Sequence, residues 1–226
     1  MTQQVAFTDT TFQLLEGLRD NNNKEWYAEN KAAFKAACLD PFALLLDQIT
    51  NRVAGEPLPL EGSEQTMFRM HRDVRFSKDK SPYKPSVSGM MTRSGTKAEM
   101  NGMAFIQMDP TGGFVAGGFY RLPTPKLNAI RQRIIDQADE FSTILDTLKS
   151  QGHQLSEMQR LTRMPKGFTQ YDDHIHAEHV KLKGFIVRRA FDRDVWVSGE
   201  IAALGAVVVS QVAPLLQFGM DALQDA

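Results

Sequence analysis

The side chains best suited to chemistry lie in one stretch, Arg69-Met70-His71-Arg72-Asp73-Val74-Arg75-Phe76-Ser77-Lys78-Asp79-Lys80-Ser81-Pro82-Tyr83-Lys84. Six basic and two acidic groups give these sixteen residues a net charge of +4. The other 210 residues carry 20 basic and 25 acidic groups, a net of −5. The positive charge is therefore local. Arginine forks match the oxygens of phosphate or carboxylate, and lysines add mobile point charges. Arg69, Arg72, Arg75 and Lys84, with Lys78 and Lys80 assisting, are thus the expected anion-binding set. His71, Asp73 and Tyr83 are the neighbouring groups able to transfer a proton, the aspartate as an acid only if its pKa is raised. If residues 69–76 form a strand, alternation puts Arg69, His71, Asp73 and Arg75 on one face and Met70, Arg72, Val74 and Phe76 on the other. The competing reading is structural. There the aspartates pair with the arginines, Ser81-Pro82 turns the chain and the remaining lysines face water, each exposed pair contributing only about 0–1 kcal/mol.

A second grouping, Asp172-Asp173-His174-Ile175-His176-Ala177-Glu178-His179, sets three histidines and three carboxylates in eight residues, types that bind zinc and other divalent ions. On a helix, Asp172, His176 and His179 would share one face while His174 points elsewhere. The plainer reading is a helix amino terminus, with Asp172 or Asp173 as cap and acids favoured by the helix dipole. No further ligand is identifiable along the chain, so neither a metal nor a cofactor is expected. Gly112, Gly113, Gly117 and Gly118 lack the lysine and hydroxyl of a phosphate-binding loop, and read as turns and close backbone packing. The lone Cys38, beside Ala36 and Ala37, excludes an internal disulfide and reads as a small buried hydrophobe.

The elements that must position these groups are helices first. Phe12, Leu15 and Leu18 recur at helical spacing until Asp20-Asn21-Asn22-Asn23 breaks the pattern. Asn23 caps a second helix carrying Trp26, Tyr27, Asn30, Phe34 and Ala37, and Asp40-Pro41 predicts a restart. Phe42, Leu45, Leu46, Ile49 and Val53 then make an apolar stripe. From Thr66 the period shortens to two, predicting strands over 67–70, 86–90, 103–108 and 114–116, the last two joined by a turn at 109–113. Thr124-Pro125 opens a helix through Leu127, Ile130, Ile134 and Ile135, and another covers 140–149. A strand follows at 185–191. A helix from Ser198 is expected to kink or end at Pro214, leaving a last short helix through Leu215, Leu216, Phe218 and Leu223. Helices, then an antiparallel sheet, then helices predict an α+β fold: one domain over 1–226, a central antiparallel sheet with N-terminal and C-terminal helices packed on it.

The string 73–84, with Arg72 before it, resembles the signature of a family of uncharacterised proteins, domain of unknown function 2461. The resemblance extends to Asn21-Asn22-Asn23-Lys24-Glu25-Trp26, Asp40-Pro41-Phe42, Gly113-Phe114-Val115-Ala116-Gly117-Gly118, Leu127-Asn128-Ala129-Ile130-Arg131 and Met164-Pro165-Lys166-Gly167-Phe168. It implies a compact α+β domain and carries no catalytic assignment. One departure is Lys166, where the family usually has arginine.

The formal net charge of −1 gives no reason to expect nonspecific binding to nucleic acid or an acidic membrane. The first ten residues lack the basic start and apolar stretch of a signal peptide, and the longest near-apolar run, 201–209, is under half a membrane span. A cytoplasmic protein without a membrane partner is expected. The functional expectation is binding or processing of a phosphorylated small molecule through residues 69–84, with a nucleic-acid backbone the less favoured ligand. Its alternative is a noncatalytic protein-interaction module in which those charges form a structural ion-pair network.

Overall fold

In the computed structural model, which describes residues 7–99, 101–157 and 159–224, helices α1 (Asp9–Asp20), α2 (Lys24–Phe34) and α3 (Asp40–Val53) come first. Of the ten residues read for a signal peptide, 1–6 lie outside the described set. Asn23 caps α2 as expected, its side chain accepting from the Trp26 amide at 2.8 Å. The predicted restart at Asp40-Pro41 is not a break. Residues Lys35–Leu39 wind as a π-helix and run directly into α3. The wider turn takes carbonyls out of the regular ladder, and the buried Thr11 hydroxyl of α1 donates to one of them, Ala37, at 2.8 Å. Asp40 pairs with Lys35 instead of capping.

Strands β1 (Val87–Met91), β2 (Met103–Asp109), β3 (Gly112–Phe119) and β4 (Phe185–Asp192) form an antiparallel sheet in the order β1-β2-β3-β4. The expected β2–β3 turn is present, with Asp109 accepting from the Thr111 amide at 2.9 Å. The register aligns Met90 with Phe105, Phe105 with Ala116 and Ala116 with Arg188. Between β3 and β4 lie α4 (Thr124–Asp136), α5 (Ala138–Ser150) and the short α6 (Ala177–Val180). After β4 come α7 (Arg193–Val197) and α8 (Ile201–Gln224). This is the α+β arrangement expected from the sequence.

The strands expected at 67–70 and 69–76 do not form. Phe68 donates to Ser88 at the β1 edge at 2.8 Å, and His71 bridges Tyr83. Pro82, whose carbonyl accepts from the Arg72 amide, carries no amide hydrogen to return that bond, which works against extending the bridge into a ladder. Pro214 likewise does not end its helix: α8 continues through it to Gln224. Pro214 is exposed, so the Ser210 carbonyl that loses its donor lies on the same outer side, within reach of water. Helix α8 is long and apolar enough to cross a membrane, yet it packs on β3, α3, α4 and α5, with Val208, Val212, Leu215 and Leu216 buried.

Alternation along the strands separates two faces. Ile106, Val115 and Val187 turn toward α3 and α8, while Phe105, Phe114, Ala116 and Arg188 turn the other way. Close approach of α8 depends on Gly117, where an added Cβ would stand 2.3 Å from Val212 Cγ2. Gly117→Ala should therefore lower stability by about 1–3 kcal/mol in urea titration, with Val212→Ala recovering part of the loss in the double variant.

Candidate functional site

The basic stretch folds as a loop closed at its base by a short ribbon. Arg72 donates its amide to Pro82 and Lys84 donates to Met70, each at 2.8 Å. Asn22 clamps the ribbon from α1's end, donating to the Tyr83 carbonyl at 2.9 Å and accepting from the Tyr83 amide at 3.0 Å. The buried Tyr83 ring stacks on Tyr27 with centroids 4.2 Å apart and touches His71 at 4.9 Å. Of the three proton-transfer candidates, His71 and Tyr83 meet here.

The loop divides the expected anion-binding set. Arg75 forks onto Asp73 with contacts of 2.9 and 2.7 Å. Arg72 pairs with Asp79 and donates to the Ser81 hydroxyl at 3.0 Å, and Lys80 donates to the Val74 carbonyl at 2.9 Å. The Ser81 hydroxyl, then Arg72, then the Ser81 amide hold the Asp79 carboxyl well below the usual carboxylate range. Arg75 lowers Asp73 in the same way, the opposite of what a general acid needs. Lys78 is exposed. Arg69 and Lys84 pair with no carboxylate within 4 Å among the described residues. Burial first, then the Arg69 charge, pulls the Lys84 ammonium below the usual lysine range. Two cations near the loop's base thus lack a carboxylate partner among the described residues.

That base adjoins the sheet face turned away from α3 and α8. The Lys84 ammonium lies 5.8 Å from the centroid of Phe68, whose ring is 5.9 Å from Phe105. Phe105 is 5.8 Å from Phe114, and the Arg188 guanidinium sits 4.0 Å over the Phe114 ring. A cation thus stands at each end of a row of three phenylalanines crossing the sheet. Beside the row opens a cavity of about 510 Å³, lined chiefly by Met103, Phe105, Phe114, Ala116, Ile186 and Arg188. Its size falls within the range of small-molecule sites. Phe68, Phe105, Phe114 and Arg188 were not singled out from the sequence. The available signal was Phe105-Ile106 in β2 and Phe114-Val115 in β3, where both parities of a strand carry large apolar groups and so both faces must be used.

The histidine grouping is not a helix face, because α6 begins only at Ala177 after a 3-10 turn at Thr169–Tyr171. The spacing expected to align Asp172, His176 and His179 therefore does not apply. His176 is buried, 3.0 Å from both the Ser142 hydroxyl and the Ala138 carbonyl, with its second nitrogen 3.3 Å from His179. Asp172 is exposed and lies 3.7 Å from Lys181. Burial, then the neighbouring His176, lowers the His179 pKa. Among the described residues no group of three or more His, Cys, Asp or Glu is arranged to hold a metal ion. Cys38 is fully buried and its thiol is pushed up to about 12 by that burial, as suits a small core hydrophobe.

Compared with known proteins, residues 10–218 match a family model described as "Conserved hypothetical protein (DUF2461)". No curated protein matches the chain.

The loop network responds to acid in a definite direction. Asp79 has a folded-state pKa below its unfolded one, so its contribution is complete above about pH 4 and is lost as pH falls from there toward the folded value. In an NMR titration the Ser81 amide should shift in that acidic window and stay constant at neutral pH. Asp79→Asn should abolish the shift.

Proposed function

We propose, from the premise that this chain belongs to the DUF2461 family, that it binds a phosphorylated small molecule with a planar body on the sheet face beside residues 69–84. The observation that carries this reading is the row Lys84, Phe68, Phe105, Phe114, Arg188, whose last three members line a cavity of about 510 Å³. Flat groups stack on aromatic rings and on arginine planes, gaining about 1–3 kcal/mol per base-sized ring. The cations at the row's ends suit the phosphate. Arg69 and Lys84 hold anionic oxygens, with Lys78 able to swing in. Arg72, Arg75 and Lys80, engaged within the loop, keep its shape. A nucleotide-like molecule fits better than a nucleic-acid strand, because the charge outside the loop is net negative and would repel a long polyanion.

A second reading has one observation in its favour. Phe76, at the loop tip, is 96% exposed while the Asp73–Arg75 and Arg72–Asp79 pairs hold the tip in shape. In that reading the loop is a noncatalytic docking element for a protein partner.

The test is a thermal-shift and calorimetric series of nucleotides, sugar phosphates and short oligonucleotides on the full chain. Ligand at about 100 times its dissociation constant adds roughly 2.7 kcal/mol of stability. Nucleotides should stabilise more than sugar phosphates of equal charge, and Phe105→Ala should weaken them about 5- to 150-fold. Lys84→Ala should weaken both classes, while Phe76→Ala should change neither. Oligonucleotides preferred with a steep salt dependence would replace the small molecule with a strand. Absence of stabilisation by every phosphorylated ligand would leave the docking reading.

A further inference from the structure

A second pocket, of about 680 Å³, lies beside the sheet-face cavity and shares Lys183 and Gln159 with it. Five cationic side chains reach its lining: Arg121 from the loop before α4, Arg131 from α4 itself, Arg163 and Lys166 from the segment after α5, and Lys183 from the turn before β4. Among the described residues no aspartate or glutamate lines it. Among the described residues, none of the five pairs with a carboxylate within 4 Å. Two of the stretches that resemble the family, 127–131 and 164–168, both contribute to this pocket.

Arg131 is the telling member. It is only 3% exposed, yet its guanidinium is met by neutral acceptors alone, Asn128 Oδ1 at 2.9 Å and the Leu182 carbonyl at 2.8 Å. Its Nε has no partner. A buried charge normally draws a counter-charge, because dipoles alone repay little of its lost hydration. Burial accordingly disfavours the charged form of this arginine. Helix α4 also begins at the pocket wall with Thr124, and Pro123 before it supplies no side-chain acceptor to the first turn. Arg121 enters the lining in a left-handed conformation, φ 52°, unusual for a residue with a Cβ. Its guanidinium lies 5.0 Å from the ring of Tyr120, which lines the sheet-face cavity.

We infer that this pocket is an oxyanion site for a phosphate or diphosphate group, with Arg131 at its buried end and Arg163, Lys166 and Lys183 closing around the outer oxygens. The site stands on its own residues. Its extension, that it takes a further anionic group of the ligand whose body lies on the sheet, at the end away from Arg69 and Lys84, rests on the reading given above and on the shared Lys183 and Gln159.

The probes are inorganic phosphate and pyrophosphate, titrated into the full chain at constant ionic strength and followed by calorimetry and thermal shift. Pyrophosphate should bind and stabilise more than an equal ionic strength of chloride. The double variant Arg163→Ala, Lys166→Ala changes only exposed side chains, so its fold is retained, and it should lose on the order of 10-fold in affinity. Arg131→Gln should lose more, while Phe105→Ala and Arg75→Ala should leave pyrophosphate binding unchanged. Absence of pyrophosphate binding, or binding indifferent to the double variant, overturns the site. If pyrophosphate binding follows this pattern but nucleotides bind no tighter than pyrophosphate and ignore Phe105→Ala, the anion site holds and the sheet-face reading fails.

Discussion

The seating of α8 against β3 organises everything else in this molecule. Helix α8 reaches β3, α3, α4 and α5, and the side chain missing at Gly117 lets Val212 approach the sheet. Because that helix supplies so much of the apolar cover on one face, the sheet needs no second helical layer for its core. The aromatic groups of the other face are then free to line a cavity. The same packing rescues Pro214: one backbone hydrogen bond lost on the water side is small beside the apolar surface that Val212, Leu215 and Leu216 bury.

Around this scaffold the charges are sorted by whether they meet an opposite. Arg193 shows the fully engaged case, joining α7 to α1 through Glu16 and to the β2–β3 turn through the Pro110 carbonyl at 2.6 Å. Arg72 and Arg75 are engaged inside their own loop. Arg69, Lys84, Arg131 and Lys183 have no such carboxylate partner among the described residues; the first two stand at the base of the loop, and the last two line the second pocket. Unpaired cations scattered over a surface would mean little, since water solvates them well. Arg131 and Lys183 instead meet where the wall is concave, and in Arg131 the cation is withdrawn from water as well.

Much of this architecture was legible from spacing. The Asn23 cap, the apolar stripe of α3, the β2–β3 hairpin and the helix from Thr124 follow from local rules, and the structure has them. The errors came where tertiary contact outweighs a local signal. Asp40-Pro41 looks like a start because proline tolerates a first turn, but Thr11 supports a π-turn that carries the helix through. Residues 69–76 alternate like a strand, but Pro82 on the returning arm cannot return the bond from Arg72, and the pairing stays a single bridge. For the site, the net charge of the loop was visible and its partition was not, since the pairing of Arg72 with Asp79 depends on how the loop closes. The Arg131 pocket could not be read at all. Its residues come from 121–131, 159–166 and 183, and only the fold makes them neighbours.

The join between β3 and β4 carries a further consequence, one of timing during synthesis. These strands pair along their whole length, Gly112 with Asp192 and Phe119 with Phe185, although α4, α5 and α6 intervene. At about 5–20 residues per second the ribosome needs roughly 4–15 s between finishing one and finishing the other. Throughout that interval β3 presents an open hydrogen-bonding edge, and α8, which covers its apolar face, is made later still. The nascent chain therefore passes through a stage in which one of its two interior strands is its stickiest, a natural point of engagement for chaperones.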